Sequence, residues 1–197
     1  MQPTPEQITG LILAGGLGRR MGGRDKGLVP LPDGRLLVEA VSQRLRPQVG
    51  ALLISANRNR SAYQHWGDEV LRDLRPDHPG PLAGIEAGLL AATTPFVLVV
   101  PCDAPALPRD LGQRLAAAIG GAAAAMPHDG TRLQPLFALL RRDAALPLTR
   151  RLLDEERPRV MDWAGALDAV LVEDARLAPA LANLNDLEAV EKFSDGP

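Results

Sequence analysis

The sequence predicts an α/β protein in three layers: a twisted, mainly parallel sheet with helices on both faces. Three observations predict it. Short, nearly continuous apolar runs recur along the chain, apolar residues at helical spacing fall between them, and Gly, Pro, Asn and Asp separate the two. A run that is apolar at every position suits a strand buried on both faces, and such a strand needs helices above and below it. The chain has 197 residues, 46% of them apolar, enough for a sizeable core. No linker-like composition and no internal repeat divides it, so one domain over 1–197 is expected.

The first strand is expected at 8–14, "ITGLILA". A glycine-rich basic loop follows, to residue 27. Leu37, Val41 and Leu45 predict a helix, and strands are expected at 50–56 and 69–74. Pro81, Leu82, Ile85 and Leu89 predict a helix entered through its proline. A strand at 96–101 leads to a helix over 108–119, marked by Leu111, Leu115 and Ile119. Strands are expected at 122–127, 133–140 and 168–173. The last two follow stretches with a weaker helical pattern, so an antiparallel strand fits there. "NLNDLEAVEKF" predicts a late helix with Asn185 or Asp186 at its N-cap.

Composition sets aside several functions. Lys and Arg number 22 against 24 Asp and Glu, for a net charge of -2, which gives no reason to expect nucleic acid or an acidic membrane surface as partner. Aromatics are only 3%, too few for base-stacking platforms. The single cysteine, Cys102, builds neither a disulfide framework nor a zinc site and reads as a small buried hydrophobe. No apolar run approaches the roughly 18 residues of a membrane span. "MQPTPEQ" has no signal-peptide pattern, so a reducing, cytoplasmic setting is expected. His65, His78 and His128 show no ligand spacing and read as surface or structural residues.

Against this neutral background, residues 18–26 carry four cations (Arg19, Arg20, Arg24, Lys26) and one anion (Asp25), a local excess of +3. The stretch leaves the carboxyl end of the first strand, where open α/β sheets collect ligands. Glycines there let backbone N–H groups approach phosphate oxygens, while Arg20 and Lys26 neutralise phosphate charge. The loop is built to hold a polyphosphate. It is not a Walker A loop, because no Ser or Thr follows Lys26. Gly16, Gly18 and Gly22 come near the dinucleotide fingerprint, but the cations and prolines that follow do not open a helix. A solvated surface loop is the plainer account of any lone basic stretch; the strand before this one argues against it.

"FVLVVPCDAPAL" puts Asp103 at the carboxyl end of a second strand, on the same edge. A carboxylate beside a polyphosphate is repulsive unless a divalent cation lies between them, and Mg²⁺ favours carboxylate, phosphate oxygens and water. Asp103 with the basic loop thus points to metal-assisted chemistry at a nucleotide phosphate. Taken alone, Asp103 is a turn residue before a helix. Asn57 and Asp73 end two further strands; they suit a base edge or a ribose, and ordinary turns account for them equally well. Gly80, Pro81 and Gly84 open a helix whose N-terminus can accept negative charge.

With these residues in place, "LAGGLGRRMGGRDKGL" resembles the signature of the molybdenum cofactor guanylyltransferases. "PGPLAGI", "VVPCDAP" and "NLND" are similar to that family's later motifs, in the same order, from about Ile8 to Val190. The resemblance implies a single nucleotidyltransferase domain of Rossmann-like fold. It also implies transfer of GMP from GTP to molybdenum-bound molybdopterin, with Mg²⁺ as cofactor and pyrophosphate released. Carried over by position, it assigns GTP contacts to Leu13, Ala14, Gly15, Lys26, Asn57, Asp73 and Asp103. Asp103 is the metal ligand, and Lys26, Asp103 and Arg20 are the catalytic set. Gly16, Gly23, Gly80, Gly84, Asn183 and Asn185 match positions that shape the site or face the pterin. Proteins that deliver the pterin, and molybdoenzymes that receive the product, are implied as partners. Arg24, an added charge in the loop, and Asp186, where Thr is common, depart from the pattern. A cytidylyl or sugar-phosphate nucleotidyltransferase, a nucleotide-binding regulatory module without catalysis, and a nicotinamide-dependent Rossmann enzyme are the alternatives weighed.

Overall fold

The computed structural model describes residues 2–16, 23–75, 80–155 and 159–194. Among them, one seven-stranded sheet runs in the order β3-β2-β1-β4-β6-β5-β7. The strands are β1 (Ile8–Leu13), β2 (Ala51–Ser55), β3 (Glu69–Leu71), β4 (Phe96–Pro101), β5 (Ala124–His128), β6 (Ala138–Arg141) and β7 (Val170–Glu173). β1 pairs in parallel with β2 and β4, and β2 with β3. β6 runs antiparallel between β4 and β5, while β7 returns parallel to β5. The antiparallel strand is therefore in the first of the two segments that suited one.

The strands alternate cleanly between two cores. Ile8 and Ile12 of β1, with Phe96, Leu98 and Val100 of β4, face α1 (Leu37–Leu45) and α4 (Leu111–Ile119). Leu11, Val97 and Val99 face the opposite side, where they meet α3 (Pro81–Ala91), α5 (Arg142–Leu153) and α6 (Val160–Ala166). This period-2 alternation, apolar on both faces, is what makes the central strands read as unbroken hydrophobic runs. The short α2 (Arg60–Tyr63) follows β2, and α7 (Leu187–Glu191) lies near the end of the chain. Val190 of α7 packs with Val29, Leu31, Leu37 and Ala40 in a third cluster. Asp186 caps α7, its side chain accepting from Ala189 N at 2.8 Å.

Three local expectations are corrected. β3 stops at Leu71 rather than 74, and β6 begins at Ala138 rather than 133, because the residues trimmed from each belong to loops of the site edge. α4 begins at Leu111, three residues after the expected start. The region between β6 and β7 is helical: α5 carries Ala145, Thr149, Leu152 and Leu153 inward at i, i+4, i+7 and i+8, with Pro147 inside the helix on its exposed side. In α6, Trp163 is fully buried and its indole N–H donates to Thr149 Oγ1 at 2.9 Å.

α3 reaches close to the sheet because Gly84 and Gly88 present one bare stripe to it. A Cβ built on Gly88 would lie 2.8 Å from Leu11 Cδ1, and Leu11 is fully buried in the central strand. Gly88→Ala is therefore expected to overpack the core and cost about 1–3 kcal/mol, lowering Tm by several degrees. Urea and thermal unfolding check this; an unchanged midpoint contradicts the close approach.

Candidate active site

Parallel pairing brings the carboxyl ends of β1, β2, β3 and β4 to one edge, and the candidate residues follow those ends directly. Leu13 ends β1, and Ala14 N continues the ladder to Ser55 O at 2.8 Å. Gly15 lies beside Asn57: a Cβ on it would be 3.2 Å from Asn57 Nδ2. Gly16, exposed, has open space where a Cβ would stand. Asn57 follows β2 and is locked to Asp73, which follows β3. Asn57 Nδ2 donates to Asp73 Oδ2 at 2.8 Å, and Asp73 N donates to Asn57 Oδ1 at 3.1 Å. Ser55, buried, adds a 3.3 Å bond from its hydroxyl to Asp73 Oδ1.

Asp103 follows β4. Its side chain is 9% exposed and forms an ion pair with Lys26, whose Nζ also donates to Asn185 Oδ1 at 3.1 Å. The last contact depends on α7. The docking of Val190 brings the chain across the sheet edge, and Leu184 N donates to Asp103 O at 2.8 Å. Asn183 is half-buried, and among the described residues its Oδ1 has no hydrogen-bond partner. Asn185 thus sits on the lysine that the sequence reading gave to the phosphates. Gly80, at φ +85°, makes the turn into α3, and Gly84 leaves space for Ser55, whose Oγ would lie 2.6 Å from a Cβ there. Gly23, at φ +79°, begins the described part of the basic loop. Arg20 lies outside the described residues, as do Gly18, Arg19, Gly22 and His78.

Sequence reasoning missed four residues at this edge. Arg58 bonds Gly16 O at 3.2 Å and Gly23 O at 3.3 Å with the two ends of its guanidinium. Asp25 accepts from Tyr63 OH and, at 3.1 Å, from Asn59 Nδ2. The rule that singled out Asn57, its place just beyond a strand end, applies equally to Arg58 and Asn59. Nothing in the sequence pairs Tyr63 with Asp25 across 38 positions. Burial, and then the bond to Asp25, raise the Tyr63 hydroxyl far above the ordinary phenol range. Burial, and then the charge of Asp103, likewise raise the Cys102 thiol, so Cys102 is a packed apolar group rather than a thiolate.

Among the described residues no group of three or more His, Cys, Asp or Glu side chains is placed to hold a metal ion. This excludes an all-protein cage from the described part. It leaves the kind of site Mg²⁺ accepts, with one carboxylate and the remaining positions taken by substrate phosphate and water. Asp103, at the edge with the Asn185 amide oxygen near the same lysine, fits that donor chemistry.

The class of the protein follows from its relatives, which share this sheet and carry the name nucleotidyltransferase or guanylyltransferase. The chain belongs to the family described as the MobA-like NTP transferase domain, whose model matches residues 10–185. It is 47% identical over 192 residues to a molybdenum cofactor guanylyltransferase of Cupriavidus necator, covering 93% of this chain and 94% of that protein. It is 43% identical over 185 residues to one of Yersinia pseudotuberculosis, covering 94% and 92%. Among solved structures, the fold is similar to molybdopterin-guanine dinucleotide biosynthesis protein A from Archaeoglobus fulgidus, with TM-score 0.74 and 22% identity over 92% and 94% of the two chains. It is also similar to 2-C-methyl-D-erythritol 4-phosphate cytidylyltransferase from Thermus thermophilus, with TM-score 0.68 and 20% identity over 93% and 95%. The protein is an enzyme of the nucleotidyltransferase class, and its relatives place it in molybdenum cofactor biosynthesis.

The same edge continues across β5. Asp129, just past that strand, accepts from Gln134 Nε2 at 2.6 Å and from the N–H groups of Thr131 and Arg132, each at 2.9 Å. These bonds, Gln134 first, hold its carboxyl down at about 2. A carboxylate depressed in the folded state contributes stability above its unfolded pKa of about 3.9 and loses it as pH falls toward the folded value. Wild type is expected to exceed Asp129→Asn in stability at pH 6, with the gap closing between pH 4 and 2. Urea midpoints across that range check it; a gap independent of pH contradicts it.

Proposed function

We propose that this chain, acting as one nucleotidyltransferase domain over residues 1–197, transfers GMP from GTP to molybdenum-bound molybdopterin. A phosphate oxygen of the pterin attacks the α-phosphorus in line, the bond from that phosphorus to the bridging oxygen breaks, and pyrophosphate leaves. The products are the molybdopterin guanine dinucleotide cofactor and pyrophosphate. The observation that carries the reading is the meeting of Lys26 and Asp103 at the carboxyl edge, across the ends of β1 and β4, with the Asn57–Asp73 pair beyond the neighbouring ends of β2 and β3. The curated relatives named guanylyltransferases cover nearly the whole chain and support it further.

In this reading Lys26 holds the triphosphate, with the N–H groups of Gly15 and Gly16 facing it, Ala14 beside them and Arg20 adding charge. Asp103 would hold Mg²⁺, which would supply positive charge to offset that of the α-phosphate and the departing pyrophosphate. Asp73, fixed by Asn57 and Ser55, accepts from the N–H donors that guanine presents. Leu13 packs under the nucleotide. Gly16, Gly23, Gly80, Gly84, Asn183 and Asn185 shape the site around it or face the pterin. The reaction supplies molybdoenzymes and calls for a donor that hands over the pterin. No helix among the described residues is long and apolar enough to cross a membrane, and the cytoplasm is the compartment we assign.

Pyrophosphate release with GTP, Mg²⁺ and the molybdenum-bound pterin tests the reading. Asp103→Asn keeps the shape and removes the charge, so turnover is expected to fall by orders of magnitude in a folded protein. Lys26→Ala is expected to weaken GTP binding by roughly 1.5–3 kcal/mol, read by calorimetry. Normal turnover in Asp103→Asn, or unchanged affinity in Lys26→Ala, removes the corresponding assignment. Gly15→Ala presses a methyl on Asn57 and through it on Asp73. It is expected to lower the rate with GTP more than any rate with CTP, by about 1–3 kcal/mol. An unchanged GTP:CTP ratio places base choice elsewhere.

A further inference from the structure

Lys26 is a flexible side chain asked to meet a phosphate, so something must fix the backbone that carries it. The structure gives that task to the segment after β2. Tyr63 is fully buried, and its hydroxyl donates to Asp25 Oδ1 on one side of Lys26. On the other side, Gly27 lies against the same ring: a Cβ there would stand 2.6 Å from the Tyr63 hydroxyl and 2.9 Å from Cε1. One tyrosine thus grips both neighbours of the lysine. Asn59 takes the second carboxylate oxygen of Asp25 at 3.1 Å, and it does so from φ +46°, a left-handed conformation that non-glycine residues seldom adopt. Between these holds, residues 26–28 form a single 3₁₀ turn, with Leu28 N on Asp25 O at 3.0 Å. Arg58 ties Gly16 and Gly23 from the same segment.

We propose that Tyr63 and Asn59 are positioning residues for Lys26: by binding one oxygen of Asp25 each, they fix the turn that carries the ammonium to the triphosphate and orient the Asp25 carboxylate toward themselves. The inference rests on Lys26 as a triphosphate ligand, as proposed above. Its chemistry is simple. A carboxylate one residue from a lysine is a ready partner for that lysine and a poor neighbour for a phosphate. Two directed donors, one on each oxygen, fix the orientation of the carboxylate and draw its charge toward the segment after β2 rather than toward the ammonium. Both donors come from the segment after β2 that also carries Asn57, with Asn59 before α2 and Tyr63 at the end of α2, so the phosphate end and the base end of the site are set by one piece of chain.

The test is calorimetry with GTP, ATP, CTP and UTP, each with Mg²⁺, alongside Tm. The proteins are wild type, Tyr63→Phe, Asn59→Gly, Lys26→Ala and the Tyr63→Phe/Lys26→Ala double variant. Tyr63→Phe keeps the buried ring, and Asn59→Gly keeps the left-handed backbone. Each is expected to weaken the tightest-binding nucleotide on the order of 10-fold, the loss of one hydrogen bond to a charged group. In the Lys26→Ala background Tyr63→Phe is expected to add nothing. Unchanged affinity in folded Tyr63→Phe, or the same loss with and without Lys26, overturns the inference and leaves Tyr63 a packing residue. Should Tyr63→Phe fail to fold, Asn59→Gly carries the same comparison against Lys26→Ala. If CTP rather than GTP binds best, the guanine reading falls, while the Tyr63 comparison still decides the inference. Wild type that binds none of the four overturns both.

Discussion

The contact between Lys26 and Asp103 is the constraint around which the rest is arranged. Their side chains are 21% and 9% exposed, so each charge is partly cut off from water and depends on the other. Removing one partner from such a pair leaves a poorly solvated charge behind. The pair is possible only because β1 and β4 lie side by side and parallel, so that the loop after one meets the residue after the other. It also draws in the far end of the chain. Leu184 binds the Asp103 carbonyl, Asn185 binds the Lys26 ammonium, and α7 anchors both by burying Val190 against α1.

Under the proposed function, this pair must separate each time substrate binds. The triphosphate becomes the partner of Lys26, and a divalent cation becomes the partner of Asp103. Neither replacement suffices alone. A nucleotide without the cation leaves Asp103 facing phosphate; the cation without a nucleotide leaves Lys26 facing a second positive charge. The Asn57–Asp73 pair differs in kind, since its hydrogen bonds fix Asp73 in place before any ligand arrives. One half of the site is held rigid, and the other exchanges partners.

Most of the sheet was legible because its strands are buried on both faces. Ile8 to Leu13 and Phe96 to Pro101 are apolar runs whose ends mark the edge of the site; Asp103 follows the second of them, as Asn57 follows β2 and Asp73 follows β3. The signature around Lys26 carried the family. α5 and α6 were illegible for a local reason. Pro147 inside α5 argues by its residue type against a helix there, and the anchor of α6, Trp163, is packed in the core and bonded to Thr149 across 14 positions. Contacts that span the chain were hidden for a different reason. Neither Tyr63 on Asp25 nor Asn185 on Lys26 has any periodic or compositional mark; each exists because two loops end on the same edge.

Under the proposed function, the carboxyl edge binds GTP and a divalent cation together, exchanging the Lys26–Asp103 pair for two new ones. Thermal unfolding of wild type with GTP, CTP or NAD, each with and without Mg²⁺, tests it most directly. At about 100 times Kd, GTP with Mg²⁺ should raise Tm by about 5–10 °C, with GTP alone, CTP and NAD far behind. An equal shift from GTP with and without Mg²⁺, or a larger one from CTP or NAD, contradicts it.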